Sequence, residues 1–155
     1  MSQIKRILLV EDSVRDAEMT LDALGEYNLA NAVLHVRDGA DALDYLFGRG
    51  AYAGRGRDAP ALVLLDLKMP KVGGLEVLRQ MKAHPVLKVV PVVIMTSSRE
   101  EQDLVNSYEL GVNAYVVKPV RFPEFVEAVK QLGIFWAVLN EPPSVNLPPA
   151  APRES

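Results

Sequence analysis

The chain has 155 residues, 49% hydrophobic and 24% charged, with no cysteine and a net charge of −3 from 17 basic and 20 acidic side chains. That length fits one domain with a real core, and the composition excludes a disordered, collagen-like or disulfide-stapled chain. The acidic balance offers no footprint for nucleic acid, two histidines are too few for a His-rich metal site, and no apolar run approaches the roughly 20 residues that span a bilayer.

The first apolar run, residues 4–10, predicts a strand and is too short for a signal-peptide core, so a soluble cytoplasmic protein is expected. Val14, Ala17, Met19, Leu21 and Leu24 then recur at helical spacing, with Ser13 placed to cap the helix. Residues 32–36 predict a second strand, and Ala40, Leu43, Leu46 and Phe47 a second helix. Residues 48–60 form a Gly/Arg-rich loop. A third strand over 61–65 leads through Gly73-Gly74 to a helix marked by Leu75, Val77, Leu78 and Met81. The fourth strand is expected over 90–95. Its helix is marked by Leu104, Val105, Tyr108 and Leu110 and stopped by Gly111. Residues 114–117 predict the fifth strand and residues 122–139 the fifth helix, with Pro123 in its first turn. Five prolines in 141–155 exclude a helix from that tail. Strict alternation of this kind predicts a parallel sheet covered by helices on both faces.

In such sheets, ligands bind beyond the carboxyl ends of the strands, where the strand order reverses. The polar residues expected there are Glu11 and Asp12 after the first strand, Asp66 after the third, Thr96 after the fourth and Lys118 after the fifth. Crowded carboxylates repel, and a divalent cation relieves the repulsion. Mg²⁺ favours oxygen ligands of this type and would partly neutralise an incoming phosphoryl group. Asp66 is then a nucleophile that forms an acyl phosphate. Thr96 can donate to one phosphoryl oxygen, and Lys118 can pair with another.

At these motifs the chain resembles the receiver domain of two-component response regulators. The carrying segments are Ile7-Leu8-Leu9-Val10-Glu11-Asp12, Leu64-Leu65-Asp66-Leu67-Lys68-Met69-Pro70 with Gly73-Gly74, Met95-Thr96-Ser97, and Lys118-Pro119. The resemblance spans about residues 4–132 and implies a flavodoxin-like (βα)5 fold with strand order 2-1-3-4-5. It implies that Asp66 is the phospho-acceptor, that Asp12 binds Mg²⁺ or Mn²⁺ directly and Glu11 largely through water, and that the backbone carbonyl of Lys68 is a further metal ligand. It makes Thr96 and Lys118 the phosphate-sensing pair, Tyr115 an aromatic switch, and Lys118–Pro119 a cis peptide. Position 68 is a lysine where the best-studied chemotaxis member has asparagine, and the resemblance implies that its side chain lies near the phosphoryl site.

Loop 48–60 and the stretch Gly133-Ile134-Phe135-Trp136-Ala137-Val138-Leu139-Asn140-Glu141-Pro142-Pro143 resemble the small response regulators paired with phytochrome-type histidine kinases of bacteria. A kinase of that type is the implied donor. Residues 1–140 are expected to form one receiver domain with an extended last helix, and 141–155 a tail with no output domain after it. Ile134, Phe135, Val138 and Leu139 exceed what one helix buries against a sheet, which predicts a homodimer through this surface. No nucleic-acid or membrane partner is expected. The chain is expected to be a signalling phospho-acceptor with only self-phosphorylation and slow self-dephosphorylation, not an enzyme. The competing readings are a degenerate receiver acting as an interaction module, an Asp-nucleophile phosphatase, and a flavodoxin-like cofactor binder. Lys68 two residues after the acceptor and the lack of a cap domain speak against the phosphatase. The acids after the first strand speak against a bound cofactor phosphate.

Overall fold

The computed structural model describes residues 7–25, 33–54, 59–67, 69, 73–112 and 114–132. Five strands, β1 (Ile7–Val10), β2 (Val33–Val36), β3 (Leu62–Asp66), β4 (Val92–Thr96) and β5 (Ala114–Val117), form one parallel sheet in the order β2-β1-β3-β4-β5. The helices are α1 (Val14–Gly25), α2 (Gly39–Phe47), α3 (Gly74–Lys82), α4 (Arg99–Ser107) and α5 (Phe122–Gln131). This is the expected flavodoxin-like receiver fold with the expected strand order.

The strands read as continuous apolar runs because both of their faces are covered. Leu8, Val10, Val63, Leu65 and Ile94 pack on one face with Leu43 of α2, Val77 and Leu78 of α3, and Val105 of α4. Ile7, Leu9, Leu62, Leu64, Val93 and Met95 pack on the other with Ala17 and Leu24 of α1 and Phe125 and Val129 of α5. The period of two along each strand sorts the side chains between the two cores. The order in which strands are added reverses between β1 and β3, and that is the switch point that opens a crevice at the sheet's carboxyl edge.

Some boundaries differ from those expected. β4 begins at Val92 rather than at residue 90. Leu87–Val89 turn through a short 3-10 segment and Pro91 has no N–H to give the ladder. α4 begins at Arg99 and ends at Ser107, before Leu110. Ser98 caps it by accepting the Glu101 N–H at 3.3 Å, while Glu101 accepts the Ser97 N–H at 2.8 Å. Ser13 caps α1 as expected, accepting the Asp16 N–H at 3.1 Å. In the Gly/Arg loop, Arg49 pairs with Asp44 at 3.1 Å; Arg55 and Arg57 lie outside the described residues. So do Lys68, the expected helical stretch 133–139 and the tail. Among the described residues, no helix is long and apolar enough to cross a membrane.

Candidate functional site

The sheet register brings the site together. Val10 is level with Leu65, Asp66 with Met95, and Thr96 with Val117. The next residue out of β1 is therefore Glu11, beside Asp66, and the next out of β5 is Lys118. The Lys118 N–H donates to the Thr96 carbonyl at 2.8 Å, and Lys118–Pro119 is cis. Glu11, Asp66 and Thr96 are buried, and Asp12 is exposed at the rim.

Carboxylate oxygens of Glu11, Asp12 and Asp66 lie within 4.8 Å of one another. The Lys118 ammonium sits among acids, 3.3 Å from Glu11 Oε1, 3.2 Å from Asp16 Oδ2 and 3.3 Å from Asp66 Oδ1. Burial, and then the neighbouring Asp66, push the Glu11 pKa up from 4.5 to about 7. Burial opposes the charge on Lys118, but Asp66 and Glu11 outweigh it and raise the pKa above the ordinary lysine value. Three acids thus share one ammonium, and burial and Asp66 make one of them, Glu11, far more easily protonated than an ordinary carboxylate. A hard divalent cation with oxygen ligands fits this donor set, because it supplies the positive charge that the site lacks.

The backbone of Glu11 is held on both sides by β2. Its N–H donates to the Val36 carbonyl at 3.1 Å, and its carbonyl accepts from His35 Nε2 at 2.7 Å. Its carboxylate accepts the Ser13 N–H at 3.2 Å. On the β4 side, Gln102 Nε2 donates to Thr96 Oγ1 at 3.5 Å, and the half-buried Tyr115 donates its hydroxyl to Asn106 Oδ1. Burial, followed by Asp103, raises the Tyr115 pKa. Under the site, the first residue of α3 lies against the end of β3, where the Gly74 N–H donates to the Leu67 carbonyl at 3.1 Å.

Glu11, Asp12, Asp66, Thr96 and Lys118 therefore meet at one edge, as their places after apolar runs predicted. Tyr115 stands two positions before the end of β5, with its hydroxyl held by α4. Lys68, Ile134, Phe135, Val138 and Leu139 lie outside the described residues. Sequence reasoning missed Asp16, His35, Gln102 and Asn106. Asp16 carried a usable signal, since it follows Asp12 by one helical turn. The other three bond across elements and left no local mark.

A family model described as the response regulator receiver domain matches residues 7–130. The chain is 61% identical to the solved bacteriophytochrome response regulator RtBRR, covering 91% of this chain and 85% of that one, with a TM-score of 0.83. It is 59% identical to the bacteriophytochrome response regulator AtBRR, covering 90% and 100%, with a TM-score of 0.84. Response regulator Rcp1 of Synechocystis sp. is 39% identical over 132 residues, 85% of this chain and 88% of that protein. A structure of the Mn²⁺-bound form of Rcp1 aligns at 38% identity over 86% and 94% of the two chains, with a TM-score of 0.67.

Proposed function

This chain belongs to the response regulator receiver family, and on that premise we propose that it accepts a phosphoryl group from a phytochrome-type histidine kinase onto Asp66. The observation that carries the reading is the convergence of Glu11, Asp12 and Asp66 within 4.8 Å beside the Lys118 ammonium. Glu11, Asp12, Asp66 and the backbone carbonyl of Lys68 would hold Mg²⁺ or Mn²⁺. When bound, the ion neutralises charge on the phosphoryl oxygens. Similarity to Mn²⁺-bound Rcp1 and to bacteriophytochrome response regulators supports the metal and the kinase class.

In the transfer, an Asp66 carboxylate oxygen attacks phosphorus, the P–N bond to the kinase imidazole breaks, and the imidazole leaves with the bonding pair and takes a proton. The product is an acyl phosphate. Lys118, already 3.3 Å from Asp66, pairs with one phosphoryl oxygen, and Thr96 donates its hydroxyl to another. The Thr96 hydroxyl then turns from Gln102, and Tyr115 from Asn106, so the surface of α4 carries the signal. Slow hydrolysis of the acyl phosphate resets the chain. A homodimer through Ile134, Phe135, Val138 and Leu139, in a cytoplasmic protein, belongs to the same proposal.

The test is intact mass after incubation with acetyl phosphate and Mg²⁺, for wild type and Asp66→Asn. The expected result is one phosphoryl group on wild type only, abolished by EDTA. No gain on wild type while Mg²⁺ binds normally would overturn the acceptor role and favour a phosphorylation-independent interaction module. Light scattering over a range of concentrations, with Phe135→Asp as the comparison, tests the dimer.

A further inference from the structure

We infer that His35 is a positioning residue for Asp12, and that its ring sets how tightly the carboxylate site holds a divalent cation. The inference rests on the metal-binding reading above. Among the described residues, no hydrogen bond holds the Asp12 carboxylate, which is exposed, while Glu11 is clamped by Ser13 and Lys118. The aim of Asp12 therefore depends on its backbone. The Glu11 carbonyl and the Asp12 N–H share one planar peptide unit, so fixing the carbonyl fixes the plane from which Asp12 projects.

That carbonyl lies beyond the last paired position of β1, since the ladder with β2 ends at Val10 opposite Val36. His35 reaches past the end of the ladder, and its Nε2 lies 2.7 Å from the Glu11 oxygen. A carbonyl only accepts, so Nε2 carries the hydrogen. His35 is half-buried on the edge strand. Partners bonded directly to a metal-holding group are worth about 10–100-fold in metal affinity, and His35 acts one peptide further out, so its effect falls at the low end.

The experiment is calorimetric titration with Mg²⁺ alone, at one pH, of the full chain and of His35→Ala, His35→Leu and His35→Gln. Gln carries an N–H at the reach of Nε2, and Leu fills the space with no donor. The expected result is a Kd about tenfold weaker in the Ala and Leu variants, with the Gln variant within about threefold of wild type. In acetyl phosphate reactions, the Mg²⁺ needed for half-maximal rate rises in the same variants, while the rate at saturating Mg²⁺ stays at the wild-type level. Where His35→Ala fails to fold, the Leu–Gln pair gives the answer. Equal affinity in Leu and wild type, or equal weakness in Gln and Leu, overturns the inference and leaves the metal site standing. Absence of Mg²⁺ binding by wild type overturns the metal reading and this inference together.

Discussion

Gly74→Ala should damage the fold and the site together, whereas Gly73→Ala next to it should do little. An added Cβ at Gly74 would sit 2.3 Å from the Asp66 carbonyl oxygen, 2.9 Å from Leu67 Cα and 3.1 Å from the Asp66 carbonyl carbon. All three are backbone atoms at the end of the central strand, so no flexible side chain can yield. Relief to ordinary contact, about 3.5 Å for carbon pairs, requires α3 or the Asp66 peptide to move by about 1 Å. That movement loosens the Gly74–Leu67 hydrogen bond. Overpacking of this kind costs about 1–3 kcal/mol, and contacts this short sit at the upper end. Replacing glycine in a helix returns about 0.5–1 kcal/mol, which leaves a net loss of about 2 kcal/mol. At Gly73 the nearest atom is 3.8 Å away and the backbone is extended, so only the weak N-cap preference of glycine over alanine is lost, about 0.5 kcal/mol. Urea denaturation followed by circular dichroism should separate the two midpoints by about 1 M for a chain of this size. Gly74→Ala should also slow phosphoryl acceptance, because its collision is with the acceptor's own carbonyl. Equal midpoints for the two variants would refute the close-approach argument.

Three further outcomes follow from the charges. The folded chain holds a proton on Glu11 up to about pH 7, while the ordinary value is 4.5. Between those values the folded state binds more protons than the unfolded one. Metal-free stability should therefore fall as pH rises from about 5 to 7, and Mg²⁺ affinity should rise across the same window. Thermal melts in EDTA and in Mg²⁺ read both, and Glu11→Gln should flatten the metal-free trend. Asp66→Asn removes the second cause of the Glu11 shift, so carboxyl NMR should find that pKa below its wild-type value but above 4.5, since burial persists. Lys118→Met takes a cation away from Glu11, Asp16 and Asp66. It should slow phosphoryl acceptance at least about tenfold and strengthen Mg²⁺ binding by calorimetry. A weaker Mg²⁺ affinity in this variant would show that the lysine assembles the acids instead of competing for them.

The five site residues were legible because each follows an apolar run long enough to be a buried strand, and parallel pairing brings all such ends to one edge. The neighbours that tune them were not. The bonds from His35 to Glu11 and from Gln102 to Thr96 depend on how elements pack, and neither residue type carries that information locally. The start of β4 was misplaced because Val90 resembles a strand residue, yet the segment before Pro91 turns through a 3-10 bend. The start of α4 was missed because its first turn, Arg99 to Gln102, is charged and polar and shows no apolar stripe. The Ser98-x-x-Glu101 pattern was the available signal.

That polar composition gives α4 a separate thermodynamic character. Of its apolar side chains only Val105 is buried in a core, and Leu104 is half exposed. Among the described residues, its side-chain ties to the sheet's functional edge include the Glu101–Ser97, Gln102–Thr96 and Asn106–Tyr115 hydrogen bonds. One buried valine contributes about 1.5–3 kcal/mol and each neutral hydrogen bond about 1 kcal/mol. Displacing this helix is thus a matter of a few kcal/mol, a small part of what disrupting the central sheet demands. A local gap of about 3.5–5 kcal/mol leaves a displaced state at about 0.02–0.3% before any signal arrives, at about 1.4 kcal/mol per tenfold. Amide exchange should register this as early labelling of residues 99–107 against a protected sheet. The two hydrogen bonds that a phosphoryl group would release are among the few contacts that confine the helix, so a single covalent event is large enough to redraw its energy landscape.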